Sequence, residues 1–176
     1  QELYHVEQKE KMRLLLGILK KERPKNVLIF TNTKHMAYEV AQRLSRNGFD
    51  CRYIMGDLPQ KKRLQVIEGI KTGEIKYLVA TEVAARGLHI DGVDVVIHFD
   101  PADDPKNYLH RSGRTARAGE HGVAVTFMLY DQENTVRMLL RRLQIDQPIV
   151  EVFSNNPRLA DLRHWDPALE AKAATG

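Results

Sequence analysis

The sequence has a single cysteine, Cys51, and a single tryptophan, Trp165. One thiol excludes an internal disulfide framework and a cysteine-rich zinc site. Lying in Cys-Arg-Tyr-Ile-Met, Cys51 reads as a small core residue. No apolar run approaches membrane-spanning length and no secretory hydrophobic segment is present, so a cytoplasmic location and no membrane partner are expected. Internal repeats and low-complexity tracts are missing as well. His35, His98 and His121 have no carboxylate or cysteine at ligand spacing, so no metal site is expected. What remains suits one ordinary globular domain: 176 residues, 43% hydrophobic, 28% charged, with a net charge of +4. That charge suits a polyanionic partner without establishing one. Beginning at Gln1 rather than Met, the sequence reads as a processed chain or a piece of a longer one.

Periodicity predicts alternating strands and helices. Residues 8–21 form an amphipathic pattern with Met12, Leu15, Leu16 and Leu19 on one face, ended by Pro24. Short apolar runs at 26–31, 51–55, 76–81, 94–99 and 123–129 read as five strands buried on both faces. Between them, Thr33 caps a helix carrying Met36, Val40 and Leu44, with Gly48 placed to end it. A helix with Pro59 in its first turn carries Leu64, Ile67 and Ile70 and stops at Gly73. Asp104-Pro105 opens a short helix, and Asp131 caps a last one bearing Val136, Leu139, Leu140 and Leu143. The fold class is therefore α/β, a parallel sheet flanked by helices on both faces. We expect a domain over residues 1–153 and a C-terminal extension over 154–176, with Asp166-Pro167 capping a short helix and Trp165 either docking the extension or marking a partner site.

Four segments fall at the carboxyl ends of the predicted strands, where such sheets bind ligands. Thr31-Asn-Thr-Lys34 places hydroxyls at a helix start. Gly56-Asp-Leu-Pro-Gln-Lys-Lys-Arg63 combines a glycine turn with three cations at a helix N-terminus, where they oppose the helix dipole. The third runs from Ala80 to Ile90. The fourth is Tyr108–Gly119, in which Arg111, Arg114 and Arg117 recur every third residue. On a helical turn they would share one face, and three guanidiniums on one face call for an anion opposite, with a polyphosphate fitting best. A solvated basic turn is the alternative.

Thr81 to Ile90, followed after about twenty residues by His110-Arg-x-Gly-Arg-x-x-Arg117, resembles motifs V and VI of the DEAD-box RNA helicases. Leu28-Ile-Phe-Thr-Asn-Thr33 resembles motif IV, and Gln60-x-x-Arg63 the family's Gln-x-x-Arg element. The order is right, and the surrounding pattern is similar to the family's second, C-terminal RecA-like domain. Gln-Lys-Lys-Arg and Arg-Gly-Leu-His are most similar to the bacterial, degradosome-type branch. The resemblance implies a fold, a partner and a set of roles. Arg114 and Arg117 would be arginine fingers reaching ATP across a cleft, with His110 and Arg111 linking this domain to the N-terminal RecA-like domain of the same protein. Gly87 and His89 would lie at the nucleotide. Gly56, Arg63 and Thr81, with Thr31 and Thr33, would hold RNA phosphates. Mg²⁺ would be held by the other domain.

The sequence also departs from the family pattern. Glu82 and His89 stand where aspartates are usual, Ser112 where isoleucine is, and Ala116 where glycine is. No Gly-x-x-x-x-Gly-Lys-Ser/Thr loop and no Asp-Glu-Ala-Asp stretch occurs in these residues. The resemblance thus implies half of an ATP-dependent RNA helicase, inactive as an isolated chain, that separates short RNA duplexes locally. A non-catalytic RNA- or protein-docking adaptor of an RNA-degradation complex, bound to its scaffold protein, is the other reading.

Overall fold

The computed structural model describes residues 2–5, 10–54, 59–85, 90, 92–114, 122–152, 155–162, 164–165 and 167. Its elements are β1 (Glu2–His5), α1 (Lys11–Glu22), β2 (Val27–Thr31), α2 (Lys34–Arg46), β3 (Cys51–Ile54), α3 (Gln60–Thr72), β4 (Tyr77–Thr81) and α4 (Glu82–Ala85). They continue with β5 (Val95–His98), α5 (Pro105–Ser112), β6 (Val123–Met128), α6 (Glu133–Arg142) and β7 (Ile149–Glu151). Among the described residues the strands make one sheet in the order β3-β4-β2-β5-β6-β1-β7, every pairing parallel.

Alternate residues of each strand serve opposite faces. Val27, Ile29, Val79, Ile97 and Phe127 pack under α1 and α2. Leu28, Phe30, Leu78 and Val96 pack under α3 and α4. The second face continues under α5 and α6, through Tyr108, Met128, Val136 and Leu140. Steps toward β3 and steps back therefore run on opposite faces, as right-handed crossovers demand.

Five predicted strands are present, and two more join them: β1 and β7, on the far side of β6. Two helix details also differ from expectation. Leu64 is 57% exposed, because α3 covers the sheet at its β3 margin and one flank of the helix faces outward. The last helix is not capped by Asp131; a 3-10 turn over Tyr130–Gln132 precedes it, and Gln132 Oε1 accepts from the Leu129 N–H. Thr33 caps α2 as expected, accepting from the Met36 N–H at 3.1 Å, and Gly73 ends α3 at φ 81°.

Beyond β7 the chain returns to the α1 face. Leu159, Leu162 and Trp165 are buried in the same core cluster as Leu15 and Ile18. Lys21 Nζ donates to the Asn156 carbonyl, and the Leu162 N–H donates to Glu22 Oε2 at 2.9 Å. The short helix expected after Asp166 lies outside the described residues, apart from Pro167. Cys51 is buried, and burial pushes its thiol up to about 12, so it packs as an unreactive core residue.

Candidate functional site

The carboxyl ends of β2, β4 and β5 form one rim, with Thr31 and Thr81 register partners on it. Asp104 opens α5 there, its Oδ1 accepting from the Asn107 N–H at 2.8 Å with Pro105 at the first helical position. The helix ends at Ser112, one residue before Gly113. Arg111 and Arg114 therefore do not share a helical face: Arg111 sits in the last turn and turns inward, whereas Arg114 follows the helix and is half-buried.

Arg111 is 2% exposed, and each of its guanidinium nitrogens donates inside the domain. Nε donates to Glu82 Oε2 at 2.7 Å, Nη1 to the Asp100 carbonyl at 2.9 Å, and Nη2 to Asn32 Oδ1 at 2.9 Å. The guanidinium carbon lies 5.3 Å from the centre of the Phe30 ring. One side chain thus ties together the ends of β2 and β5 and the start of α4. Asp100 extends the tie: its Oδ2 accepts from the Asn32 N–H at 2.9 Å and its Oδ1 faces Lys11 Nζ at 3.4 Å. Lys11 is itself buried and donates to the Phe99 carbonyl at 3.0 Å. Burial holds its ammonium below the ordinary lysine value, and Asp100 partly offsets that. Sequence reasoning missed the roles of Asp100, Asn32 and Lys11.

The other predicted residues separate into groups. The backbone of Arg114 is held on both sides, its N–H donating to the Arg111 carbonyl at 3.2 Å and its carbonyl accepting from the Val93 N–H at 3.1 Å. His110 is exposed, one residue before Arg111. Thr33 is exposed at the start of α2, and Arg63 is half-buried in the first turn of α3. Thr31 is fully buried, and its hydroxyl donates to the Thr33 carbonyl at 3.1 Å. Thr81, 6% exposed, caps α4 by accepting from the Ala84 N–H at 3.3 Å. Gly56, Gly87, His89 and Arg117, like Ala116 and His121, lie outside the described residues. No group of three metal-ligating side chains occurs among the described residues.

Ser112 finds polar company. Its Oγ lies 3.4 Å from Nε2 of the fully buried His98, and it also hydrogen-bonds the Tyr108 hydroxyl. The imidazole packs 5.2 Å from the Tyr108 ring and 6.3 Å from Phe30. Its Nδ1 has no hydrogen-bond partner among the described residues. Burial, reinforced by the nearby Arg111 charge, lowers His98 to about 3, and burial raises Tyr108 to about 12. His98 is therefore neutral when folded. Unfolding restores an ordinary imidazole that takes up a proton below about 6.5. Between about 6.5 and 3 the unfolded chain binds more protons, so stability falls as pH falls. Lowering pH from 6 to 5 should remove about 1 kcal/mol through this group. Urea denaturation of the wild type and His98→Gln across this range checks it; equal pH slopes would refute it.

Residues 10–119 match the model of the helicase conserved C-terminal domain. The chain belongs to the DEAD-box helicases, as their second RecA-like domain. It is 46% identical over 127 residues to the ATP-dependent RNA helicase RhlB of Shewanella pealeana, covering 72% of this chain, and 42% identical to RhlB of Shewanella frigidimarina over the same share. It spans only 29% of the length of those relatives. Among solved structures, the Escherichia coli DEAD-box protein SrmB, bound to regulator of ribonuclease activity A, superposes with a TM-score of 0.75 at 33% identity. That match covers 85% of this chain and 87% of SrmB's. The C-terminal domain of the DEAD-box protein Dbp5 gives a TM-score of 0.78 at 28% identity, over 86% of this chain and 89% of that one. Within this domain the Arg111 network joins the end of β2, the start of α4 and the last turn of α5.

Proposed function

We propose that this chain is the half of an ATP-dependent RNA helicase that contributes arginine fingers and RNA-backbone contacts to a site completed by the N-terminal RecA-like domain. The observation that carries this is the placement of Arg114. Its backbone is fixed at both N–H and carbonyl, directly after a helix anchored through Arg111 and beside Val93 ahead of β5, while its side chain is half-buried. Fixed backbone beneath a half-buried guanidinium is the geometry a finger requires, because it presents charge without a reorganisation cost at the moment of reaction. Arg117 is the second finger in this reading, with Gly87 and His89 at the nucleotide and His110 at the interdomain contact. Arg111 acts as a positioning residue. Val83 and Leu109, 63% and 54% exposed beside Glu82 and His110, offer an apolar contact for the partner domain.

ATP supplies the transferable phosphoryl group. The finger side of its site is what this domain would supply, and in this reading the other domain would hold Mg²⁺. Arg63 and Thr33, with Gly56 and Thr81, would take RNA phosphates. Dbp5 solved with RNA and ADP BeF3, similar to this chain at a TM-score of 0.76, supports a joint nucleotide and RNA site. Contacts confined to phosphates make binding largely independent of sequence and sensitive to salt. Local unwinding of short duplexes in the cytoplasm is the task this reading implies. Residues 154–176 would form an extension strapped to the domain over 1–153. Regulator of ribonuclease activity A bound to SrmB favours a second, compatible reading, a protein partner from RNA degradation docked on this domain.

The test uses the chain alone. Weak RNA binding that falls steeply with salt, and no ATP hydrolysis with or without RNA, are the expected results. RNA-stimulated ATP hydrolysis by these 176 residues would sink the proposal.

A further inference from the structure

Lys11 opens α1 among buried residues, with Met12, Leu14 and Leu15 following it. Its charge works against stability in two ways. An ammonium in a first helical turn opposes the helix dipole, and no acidic residue in that turn offsets it. Taking the ammonium out of water is costly too, and a buried ion pair is often no better for stability than apolar side chains of similar volume. Core packing alone therefore gives no reason for a lysine here. Its contacts do. Nζ donates to the Phe99 carbonyl at 3.0 Å, faces Asp100 Oδ1 at 3.4 Å and lies 5.4 Å from the centre of the Phe99 ring. These two residues leave the end of β5, and the Asp100 carbonyl receives Arg111 Nη1. The Asp100 carboxylate also holds the Asn32 N–H, while Asn32 Oδ1 receives Arg111 Nη2. Lys11 thus backs two of the three groups that anchor Arg111, and the Arg111 carbonyl in turn accepts from the Arg114 N–H. Beside it lies a cavity of about 410 Å³, whose lining includes Lys11, Met36, Val40, Phe99 and Asp100.

We infer that Lys11 is a positioning residue for the finger segment, setting Arg111 and the backbone of Arg114 through Asp100. The inference rests on the finger reading of Arg114 and extends it to a side chain on the opposite face of the sheet from α5. Without the ammonium, the Phe99 carbonyl loses its donor and the Asp100 carboxylate loses its counter-charge, so the acceptors of Arg111 are free to shift. A misplacement of about 1 Å that originates far from the chemistry is enough to cost up to about 10²-fold in rate.

The test is RNA-stimulated ATP turnover by the full-length protein carrying Lys11→Ala. Its kcat should fall about tenfold, with KM for ATP and RNA affinity within about twofold of wild type. The adjoining cavity gives n-propylammonium, which has the atoms that the alanine lacks, a way in. That ion should raise the turnover of Lys11→Ala severalfold and leave the wild type unchanged, at an ionic strength matched with tetramethylammonium. 1-Propanol, which fills the same space without charge, should not. No recovery with the amine, equal recovery with 1-propanol, or a kcat within about twofold of wild type overturns the inference. Lys11→Met combined with Asp100→Asn covers the case in which the alanine variant folds poorly, because it removes both charges and keeps the volume. Its urea midpoint should stay at the wild-type value while kcat still falls about tenfold. Wild-type turnover, or a loss that only follows a lowered midpoint, overturns the positioning role. Arg114→Ala measured alongside keeps the two failures apart. If it is inactive while the Lys11 variants turn over normally, only the positioning role falls. If it too turns over normally, the finger reading falls and takes this inference with it.

Discussion

Replacing Arg114 with alanine in the full-length protein is expected to lower RNA-stimulated ATP turnover by roughly 10³–10⁵-fold, the range an arginine finger contributes where it has been isolated. The loss should appear in kcat far more than in KM, because charge on the transferring phosphoryl peaks in the transition state. Arg114→Lys should recover only part of it: an ammonium restores the charge but not the planar fork. The fold should survive, since the backbone bonds of Arg114 to Arg111 and Val93 do not involve its side chain. Unchanged circular dichroism and urea midpoint alongside the lost turnover would complete the result. Turnover within about threefold of wild type would remove Arg114 from the finger role.

Arg111→Ala should behave in the opposite way, as a stability defect. Truncation leaves the Glu82 carboxylate, Asn32 Oδ1 and the Asp100 carbonyl without their donors in a region where the side chain was 2% exposed. Breaking a buried pair from one side costs about 3–5 kcal/mol, a large part of the roughly 5–15 kcal/mol that holds a domain together. Arg111→Met should not rescue it, because it fills the space and still strands Glu82. Adding Glu82→Gln to Arg111→Met should recover part of the loss, and that non-additivity identifies the pair as the source. Urea denaturation of the chain reads the effect. A loss below about 1 kcal/mol would show that the network is not what fixes the rim.

The contrast between these arginines marks what the sequence could disclose. Their three-residue spacing is visible in the chain, but the end of the helix at Ser112 is not, and that end sends one inward and leaves the other half-buried beyond the helix. Four of the five short apolar runs were legible because each is buried on both faces and so lacks polar interruption, whereas β3, an edge strand, leaves Arg52 and Tyr53 exposed against the expectation. Glu2–His5 and Ile149–Glu151 were not, being too short for a pattern and specified by pairing with distant strands. Motif order gave the rim its family. Contacts such as Glu82 with Arg111, or His98 with Ser112, join residues 29 and 14 positions apart, and only the sheet brings them together. Ser112 stands where the family pattern has an apolar isoleucine. It is instead one member of a buried polar set whose other members sit on β5 and α5.

The place of β1 has a consequence for how the domain is made. Glu2 pairs with Val125 and Leu3 with Ile149, so the earliest of these residues to leave a ribosome wait for nearly the last of the sheet. Strands β2 to β5 need only each other and can assemble from residues 27–98 while synthesis continues. Non-local closure of this kind slows folding, because chain entropy is lost before the contacts that compensate for it form. During that interval the far edge of β6 stands open, and the N-terminal strand, though first in hand, is the wedge that goes in late.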